Sequence, residues 1–353
     1  MIRELKYYEA VHEAIDICME KDINVYVLGL GVSDPKGIFG STLGLCEKYG
    51  SSRVMDIPAS ENGITGIAIG SSLVGMRPII THQRLDFALL SVEQIVNQAA
   101  KWHYMFGGKG NVPVVIRMII GRGWGQGPQH SQSLQSWFAH IPGLKVIMPT
   151  TPEDAKGMLI SSVEDNNPVI SLEHRWLHNV TGKVPSGIYR TPIGKCQVMR
   201  KGSHVTVVAT SIMSLESLKA AEILSQDGIE LEVIDVRTLR PLDRETILKS
   251  VRKTGRLIVA DTGWKEVGFS AEIVSLAAEE AFSHLKIPPR RLALADSPTP
   301  TTAALTDHFY PRANNIVYIA REMMGQDPDV NAPSSIQDSI PLDVPDSSFT
   351  GPF

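Results

Sequence analysis

The chain has 353 residues, of which 43% are hydrophobic, 20% charged and 6% aromatic, and this length predicts two domains plus a terminal segment. A formal net charge of −4 excludes the basic field that binding to nucleic acid or to an anionic membrane requires. No apolar run approaches the roughly 20 residues that cross a bilayer, and the charged N-terminus lacks the apolar stretch of a signal peptide.

Apolar strands and helices alternate through the first half of the chain. Helical spacing over residues 5–21 is followed by a short buried strand at 24–30 and a helix over 42–49. Four later apolar segments predict further strands: RPIITH, VPVVIRMII, LKVIMP and NPVISLEH. Thr151 as an N-cap and Pro152 at the first helical position predict a helix between the last two. The alternation predicts an α/β fold with a mostly parallel sheet covered by helices on both faces.

Small residues dominate the segment 62–75, NGITGIAIGSSLVG. Gly63, Gly66 and Gly70 recur at spacings of three and four residues, so one face of the predicted helix carries almost no side chains. Such a face lets another backbone approach closely. We therefore expect this helix at an interface between domains or subunits.

A polar connection over residues 175–200, with Gly and Pro, precedes a second alternating unit. Its predicted strands are HVTVVAT, LEVIDV, RLIVAD and RRLALAD, and its predicted helices lie near 213–227, 243–252 and 268–283. This pattern indicates a smaller α/β domain with its own core.

The domain boundaries follow from these changes in pattern. We predict a first domain over 1–185 and a second over 186–325. Residues 326–353 are rich in Pro, Ser and Asp and poor in core-forming side chains. Such a composition predicts a tail that is disordered or wrapped on a neighbouring chain.

Two residues are candidates for catalysis. Glu61 follows the strand-like RVMDIP and is either a first-turn acid that complements the helix dipole or a partly buried carboxyl with a tightly held proton. His130 lies in the glycine-rich segment GRGWGQGPQHSQS. It is either an exposed imidazole bonded to Ser131 or a group at the carboxyl edge of the sheet, where such folds place active sites.

Three further residues have a structural and a functional interpretation. Phe87 is either the first core residue of a helix or an aromatic platform for a flat ring. Asp165 and Asn167 either cap a turn or hold a cation together with nearby carbonyl oxygens. The residues alone leave these alternatives open.

Several familiar site signatures are missing from the sequence. No GxGxxG follows a strand and no GxxxxGK[ST] is present, so a nicotinamide fold and nucleotide hydrolysis are unsupported. Cys18, Cys46 and Cys196 stand singly, and no Cys/His cluster indicates a zinc site. Isolated cysteines predict a reducing, cytoplasmic location.

In their order and spacing, the motifs resemble the β subunit of the thiamine-diphosphate-dependent decarboxylating component of pyruvate and branched-chain 2-oxoacid dehydrogenases, in the transketolase-like superfamily. The matching segments cover about residues 5–325. They are RVMDIPASENGITGIAIGSSLVGMRPI, SVEQIVNQAAKWHYMFGG, QHSQSLQSWFAHIPGLKVIMPTTPEDAKG, DNNPVISLEH, VIDVRTLRPLD, the GW…G…AEI pattern from Gly263 to Ile273, and ADSPTP. The resemblance implies two three-layer α/β domains with mostly parallel sheets: a pyrimidine-binding domain followed by a transketolase C-terminal domain.

The resemblance also implies roles for individual residues. Glu61 matches the glutamate that hydrogen-bonds the aminopyrimidine ring of thiamine diphosphate, and Phe87 matches the aromatic residue packed against that ring. His130 matches the histidine that assists proton transfer and positions the intermediate. Asp165 and Asn167 match a structural potassium site. The implied reaction is decarboxylation of a 2-oxoacid with transfer of the acyl group to lipoamide or another acceptor.

One half of the family's cofactor site has no counterpart in this sequence. The GDG…N motif that binds the diphosphate and magnesium is absent. The resemblance therefore implies an α-type partner that holds magnesium, an α2β2 heterotetramer with cofactor sites between unlike subunits, and a lipoyl acyltransferase as a further partner.

Two segments depart from the family pattern. Leu30 and Gly31 stand where the family has a pair of acids, so an acidic group normally near the cofactor is missing. A polar run containing His82 and Arg84 replaces a largely apolar segment before Phe87.

The polar run bears on the substrate. If it borders the pocket, Arg84 could pair with a carboxylate or phosphate, and Arg122 and Trp124 in the glycine loop add polar character. We therefore expect His82, Arg84 and Arg122 at the substrate, and a substrate more polar than pyruvate or a branched-chain acid.

Two other functions compete with the 2-oxoacid dehydrogenase subunit. A split transketolase-like or acyloin-forming enzyme would use the same cofactor to transfer a two-carbon unit to a polar or phosphorylated aldehyde. A non-catalytic structural or regulatory paralogue is the third possibility, but a scaffold has no need to retain Glu61, Phe87 and His130 together.

Overall fold

The computed structural model describes residues 1–122, 125–306, 308–328 and 344. The strands are β1 (Ile2–Lys6), β2 (Val25–Leu28), β3 (Val54–Met55), β4 (Arg77–His82), β5 (Val115–Ile120), β6 (Lys145–Ile147), β7 (Val169–His174), β8 (Thr181–Pro185), β9 (Gln197–Arg200), β10 (Val205–Ala209), β11 (Leu231–Asp235), β12 (Thr238–Arg240), β13 (Leu257–Trp264) and β14 (Arg290–Leu294). The helices are α1 (Tyr7–Lys21), α2 (Leu45–Tyr49), α3 (Glu61–Ser72), α4 (Leu85–Ala88), α5 (Ala100–Met105), α6 (Gln135–Ala139), α7 (Pro152–Glu164), α8 (Ile212–Gln226), α9 (Arg244–Thr254), α10 (Phe269–Glu280) and α11 (Ala313–Met323). A π-helical segment, Gln94–Ala99, leads into α5.

The first sheet has seven strands in the order β12-β6-β7-β5-β4-β2-β3, and all but β12 run parallel. Side chains on both faces are buried: Val27 and Val115 pack into one apolar cluster, whereas Leu28 and Ile116 pack into another. A parallel sheet covered on both faces gives near-continuous apolar strands. The predicted three-layer architecture is confirmed.

The carboxyl ends of three central strands meet at one edge of this sheet. His82, the last residue of β4, pairs with Met118 of β5. Ile120, the last residue of β5, pairs with His174 at the end of β7. The segments that follow these strands are therefore neighbours, and the candidate site lies among them.

β12 joins the first sheet although it follows β11 of the second. Thr238 pairs with Ile147 and Arg240 with Val146, antiparallel to β6. A strand from the predicted second domain, 186–325, therefore belongs to the sheet of the first. The boundary at residue 185 stays a prediction.

The second sheet has five strands in the order β14-β13-β10-β11-β9. The first four run parallel, and β9 pairs antiparallel with β11 at the edge. The predicted second α/β unit is confirmed. A single apolar cluster includes Ile116 and Leu172 of the first sheet and Val208 and Ile273 of the second unit, so the two units share a core.

The segment 175–200 differs from the prediction of a polar connection. It contains β8, which pairs antiparallel with β1, and the edge strand β9. Both strands lack the continuous apolar run that marks a central strand, because only Val184 among their residues is fully buried. The predicted tail over 326–353 lies outside the described residues except for 326–328 and 344. No helix in the described part of the chain is both long and apolar enough to cross a membrane.

Candidate active site

Glu61 is the first residue of α3, directly after the loop that follows β3. Its side chain is buried, with 8% of the residue exposed. A carboxylate in the first turn complements the positive end of the helix dipole. Both interpretations of the sequence therefore remain compatible with its position: a dipole-stabilised acid and a partly buried functional carboxyl.

The outward face of α3 is open in the single chain. Gly63 and Gly70 are exposed, and a Cβ at Gly70 would meet no atom within 4 Å. Ile67 on the same face is 62% exposed, and Val74 just beyond the helix is 82% exposed. None of the described residues covers this face, which combines small residues with the exposed side chain of Ile67.

Phe87 and His130 meet at the carboxyl edge of the first sheet. Phe87 lies on α4, which follows β4, and His130 ends the 3₁₀ turn Pro128–His130 after β5. Their rings pack edge to face, with centroids 5.4 Å apart and an interplanar angle of 76°. The parallel pairing of β4 with β5 brings these distant residues together.

Arg84 is nearly fully buried and bonds to the glycine-rich segment. Its Nη1 donates to the Gly121 carbonyl oxygen at 3.0 Å, and its Nη2 donates to Gln126 Oε1. Burial, with a smaller contribution from the charge of Arg175, lowers the pKa of Arg84 to about 10. Arg84 therefore stays charged at neutral pH and is bound to neutral oxygen atoms.

His82 and Arg122 are also buried, but they face different surroundings. Burial lowers the pKa of His82 to about 4, so its imidazole is neutral at pH 7. Arg122 donates to the carbonyl oxygens of Pro300 at 2.7 Å and Thr301 at 3.0 Å, which ties the glycine-rich segment to the second unit. Trp124 lies outside the described residues.

Asp86 and Gln132 form a contact that the sequence analysis missed. Gln132 Nε2 donates to Asp86 Oδ1 at 2.8 Å. Burial raises the pKa of Asp86, and the bond from Gln132 opposes that shift. Asp86 stands beside Phe87 and Gln132 two residues after His130, so their place in the motifs was the available signal.

A second missed group surrounds Phe39. Its backbone has φ +47°, a left-handed conformation that is strained for an aromatic residue. The guanidinium carbons of Arg84 and Arg175 lie 5.5 Å and 4.5 Å from its ring centroid, and His178 meets its edge at 5.7 Å. Arg175 and His178 follow β7 at the same sheet edge as His130, which is the signal that could have found them.

An ion pair supports this edge from within the sheet. Arg117 of β5 contacts Glu173 of β7 through two bonds, Nε to Oε1 at 2.7 Å and Nη2 to Oε2 at 2.9 Å. Arg117 also donates to Ser41 Oγ at 3.1 Å and Thr81 Oγ1 at 3.3 Å. Both charged side chains are buried, and Arg117 bonds to three different residues.

A cleft of about 310 Å³ opens beside this edge, between the first and second units. Pro128 and Gln132 line one side, and Trp264 and residues 296–299 line the other. Trp264 Nε1 donates to the Ser297 carbonyl oxygen at 2.8 Å. The cleft thus adjoins the segment that carries His130.

Comparisons with known proteins agree with this arrangement. The family model "Transketolase, pyrimidine binding domain" matches residues 3–179, and "Transketolase, C-terminal domain" matches residues 194–316. The acetoin:2,6-dichlorophenolindophenol oxidoreductase subunit beta of Cupriavidus necator is 42% identical over 92% of this chain and 98% of its own length. The mitochondrial pyruvate dehydrogenase E1 component subunit beta of Bos taurus is 40% identical over 90% of this chain and 89% of its own length.

The chain belongs to the family of thiamine-diphosphate-dependent E1 β subunits. A solved structure of a split-gene transketolase, described as an inactive β4 tetramer, covers 91% of this chain and 98% of its own with a TM-score of 0.74. At 22% identity that likeness shows the fold alone.

The residues of this β subunit fit the pyrimidine half of the family's cofactor. Glu61 places a buried carboxyl at a helix N-terminus, and α3 packs against α4, which carries the partly exposed ring of Phe87. A carboxyl and an aromatic face are the groups that an aminopyrimidine ring requires.

At the predicted potassium site of this β subunit, the oxygen atoms accept hydrogen bonds from other residues of the protein. Asp165 Oδ1 accepts from the backbone and side-chain nitrogens of Asn167, both at 2.9 Å, and Oδ2 pairs with Lys145. Arg77 Nη1 donates to the carbonyl oxygens of Val163 at 2.8 Å and Asp165 at 3.1 Å. Burial raises the pKa of Asp165, but the bonds from Lys145 and Asn167 outweigh it and lower that pKa. Lys145 and Arg77 thus already bind Asp165 Oδ2 and the two carbonyl oxygens, and a potassium ion at these oxygens would have to displace them.

Proposed function

We propose that this chain is the catalytic β subunit of a thiamine-diphosphate-dependent enzyme that acts on a 2-oxoacid and transfers the resulting acyl group. The observation that carries the proposal is the position of Glu61, a buried carboxyl at the start of α3 whose outward face is open. A partner that covers this face would close the site over Glu61. Closure removes water and strengthens the hydrogen bonds of the carboxyl.

Each candidate residue has a task in this reaction. When bound, thiamine diphosphate supplies the nucleophilic carbon and the electron sink for decarboxylation. Glu61 would hold a proton at the aminopyrimidine ring, and Phe87 would pack against that ring. His130 is partly exposed beside Phe87, and its imidazole would assist proton transfer there.

The partner in this proposal is an α-type subunit. The chain lacks the GDG…N motif of the family's diphosphate site, so the α-type subunit would hold the diphosphate and magnesium. The expected assembly is an α2β2 heterotetramer, with a lipoyl acyltransferase as a further partner of the complex. The three free cysteines fit a reducing location, which we propose to be the cytoplasm.

The names of the relatives favour two donor classes. The relative from Bos taurus is named for pyruvate, whereas those from Cupriavidus necator and Bacillus subtilis, at 42% and 38% identity, are named for acetoin. A 2-oxoacid is our first candidate, and an acyloin cleaved oxidatively is the second. Among these comparisons, the case for two-carbon transfer to an aldehyde rests on the similar fold of a transketolase structure. At 22% identity, that similarity says nothing about function.

The proposal that His82, Arg84 and Arg122 bind a polar substrate stays a prediction. Arg84 and Arg122 are buried and donate to oxygens of the protein itself. These contacts favour a role in holding the glycine-rich segment, and a substrate would have to displace Gln126 to reach Arg84.

The test is an assay of the assembled enzyme. The chain would be co-expressed with an α-type subunit and purified with thiamine diphosphate and magnesium. Pyruvate, branched 2-oxoacids, acetoin and phosphorylated donors would be offered with dichlorophenolindophenol as the electron acceptor. We expect dye reduction with a 2-oxoacid only when both subunits and the cofactor are present. Two-carbon transfer to an aldehyde without oxidation of any donor would contradict the proposal.

A further inference from the structure

One short segment, residues 84–87, contacts the glycine-rich loop 121–132 on both sides of His130. Before His130, Arg84 donates to the Gly121 carbonyl oxygen at 3.0 Å and to the side chain of Gln126. After it, Asp86 accepts from Gln132 Nε2 at 2.8 Å. The polar run before Phe87 is therefore bonded to the loop that carries the candidate histidine.

The ring contact completes this attachment. Phe87 of the same segment packs edge to face on His130 at 5.4 Å between centroids. Segment 84–87 thus contacts the loop at its start, at its functional residue and at its end.

The described part of the loop, residues 121–122 and 125–132, has a permissive backbone at three glycines. Gly121, Gly125 and Gly127 have φ values of +76°, +51° and +77°. Glycine has more conformational freedom to lose than any other residue, so a glycine-rich loop is held by its contacts and not by local preference. Arg122 supplies one further attachment, to the carbonyl oxygens of Pro300 and Thr301.

We propose that Arg84 and Asp86 are positioning residues that fix the loop 121–132 and thereby orient the His130 imidazole. The expected effect on kcat rests on the proposed function. The contacts of Arg84 and Asp86 with the loop can be tested whether or not the enzyme is active. A guanidinium can donate to two oxygens in a fixed geometry, and a carboxylate accepts a strong, charge-assisted bond. A histidine displaced by about 1 Å loses up to about 100-fold in rate.

Hydrogen exchange measured by mass spectrometry on the assembled enzyme tests the attachment, with kcat and KM determined alongside. Arg84→Met removes both donors and Asp86→Ala removes the acceptor. We expect exchange of peptides over 121–132 to accelerate by about tenfold. We also expect kcat to fall about 10- to 100-fold while KM changes by less than about threefold.

Conservative variants give the rescue that a positioning role requires. Asp86→Asn keeps an oxygen that can accept from Gln132 Nε2 but loses the charge, and Arg84→Lys keeps one donor. Both should give loop exchange and kcat between those of the wild type and those of Arg84→Met and Asp86→Ala. If Arg84→Met or Asp86→Ala fails to fold, these two variants decide the question: faster loop exchange with a lower kcat supports the proposal, and wild-type values contradict it.

Matched controls lie at the opposite edge of the same sheet. Arg53 donates to the carbonyl oxygens of Met19 at 2.8 Å and Val25 at 2.6 Å, and Asp22 accepts from the Asn24 backbone at 2.9 Å. Arg53→Met and Asp22→Ala should leave exchange of the loop and kcat unchanged.

Two results would overturn the inference. Unchanged exchange of the loop in Arg84→Met and Asp86→Ala would show that neither residue holds it. A rise in KM of tenfold or more with kcat unaltered, about 1.4 kcal/mol of uniform binding, would place Arg84 at the substrate. If the wild-type complex shows no cofactor-dependent activity, the proposed function fails, whereas the exchange data still decide whether these residues hold the loop.

Discussion

The ring of Phe87 meets the imidazole of His130 edge to face, 5.4 Å between centroids, at the carboxyl edge of the first sheet. One residue follows β4 and the other follows β5, and the two strands are parallel neighbours. The residue proposed as a platform for a flat ring and the residue proposed to assist proton transfer are thereby held in one place. This contact is consistent with the proposed site for a planar heterocycle.

Replacing the Phe87 ring tests its role as a platform. Phe87→Leu keeps apolar volume but loses the aromatic face, and we expect affinity for thiamine diphosphate to fall about 3- to 10-fold, the worth of one aromatic contact. Titration of the apo-complex with the cofactor measures this. Phe87→Tyr retains the face and should bind as the wild type does; equal affinity of the leucine variant would argue against the platform.

His82 makes folding sensitive to acid. In the unfolded chain its pKa is the ordinary 6.5, and burial in the folded chain lowers it to about 4. Between these values only the unfolded chain binds the proton, so this contribution to the free energy of unfolding falls as pH decreases from 6.5 to 4. At pH 5 the wild type should have lost about 2 kcal/mol of its free energy of unfolding through His82, and His82→Phe should not show this loss.

Urea unfolding at pH 8 and pH 5 measures the effect of His82→Phe. The wild type should lose more stability between the two pH values than the variant does. His140→Phe, at an exposed position, is the control and should follow the wild type. Identical losses in wild type and His82→Phe would refute the assignment.

Asp235 produces the opposite pH dependence. Burial raises its pKa from 3.8 to about 7, and its Oδ1 accepts from Ser214 Oγ at 3.0 Å. The folded chain then keeps a proton that the unfolded chain has released, so this contribution to stability falls as pH rises from about 4 to 7. Over this pH range the free energy of unfolding should lose on the order of 4 kcal/mol through Asp235.

Asp235→Asn removes the ionisable group and keeps an acceptor for Ser214. We expect the variant to gain stability over the wild type as pH rises from 5 to 8, measured by thermal unfolding. Asp22→Asn, at a half-exposed turn position, should show no such gain. A constant difference between variant and wild type across this range would disprove the shift.

The buried ion pair between Arg117 and Glu173 predicts a large stability effect. Glu173→Ala leaves the Arg117 guanidinium buried without its carboxylate, which costs about 3–5 kcal/mol. The double variant Arg117→Met/Glu173→Ala should lose clearly less than the sum of the single losses, since neither charge is left alone. Denaturant unfolding of all four proteins gives the comparison.

An exposed pair supplies the reference. Arg190 contacts Glu164 at 2.5 Å and 2.8 Å on the surface, and Arg190→Met should leave the free energy of unfolding nearly unchanged, because solvent screens an exposed pair. Additive losses at Arg117 and Glu173 would mean that the two side chains act independently.

The sequence predicted the elements whose signal is local. The central strands β4, β5 and β7 are rich in apolar residues and almost entirely buried. The N-cap of α7 formed as predicted, with the Thr151 side chain accepting from the Asp154 backbone at 3.1 Å. Apolar runs and caps depend on nearby residues, so they can be recognised without the tertiary structure.

Elements that depend on distant partners escaped prediction. The three residues of β12 carry no pattern of their own and become a strand only because β6 offers a free edge. Strands β8 and β9 are half-exposed edge strands. Helix α11 was not predicted either; it packs against α8 in the second unit.

The candidate site was also predicted only in part: its motif residues were found, but not their tertiary contacts. Motifs identified Glu61, Phe87 and His130, and the resemblance to a family gave them roles. Arginine is rarely buried, so a polar run with Arg84 favoured a pocket wall. The parallel pairing of β4 with β5 brings the segments after them together, and Arg84 there donates to the Gly121 carbonyl oxygen.

The direct test of the account is cofactor-dependent activity of the assembled enzyme with Glu61→Gln. Glutamine keeps the size of the side chain but cannot hold or release the proton at the aminopyrimidine ring. We predict that kcat for 2-oxoacid oxidation falls by about 100-fold or more, while thermal stability and assembly with the α-type subunit stay those of the wild type. Activity equal to the wild type in a correctly assembled Glu61→Gln enzyme would contradict the assignment of this chain as the catalytic β subunit.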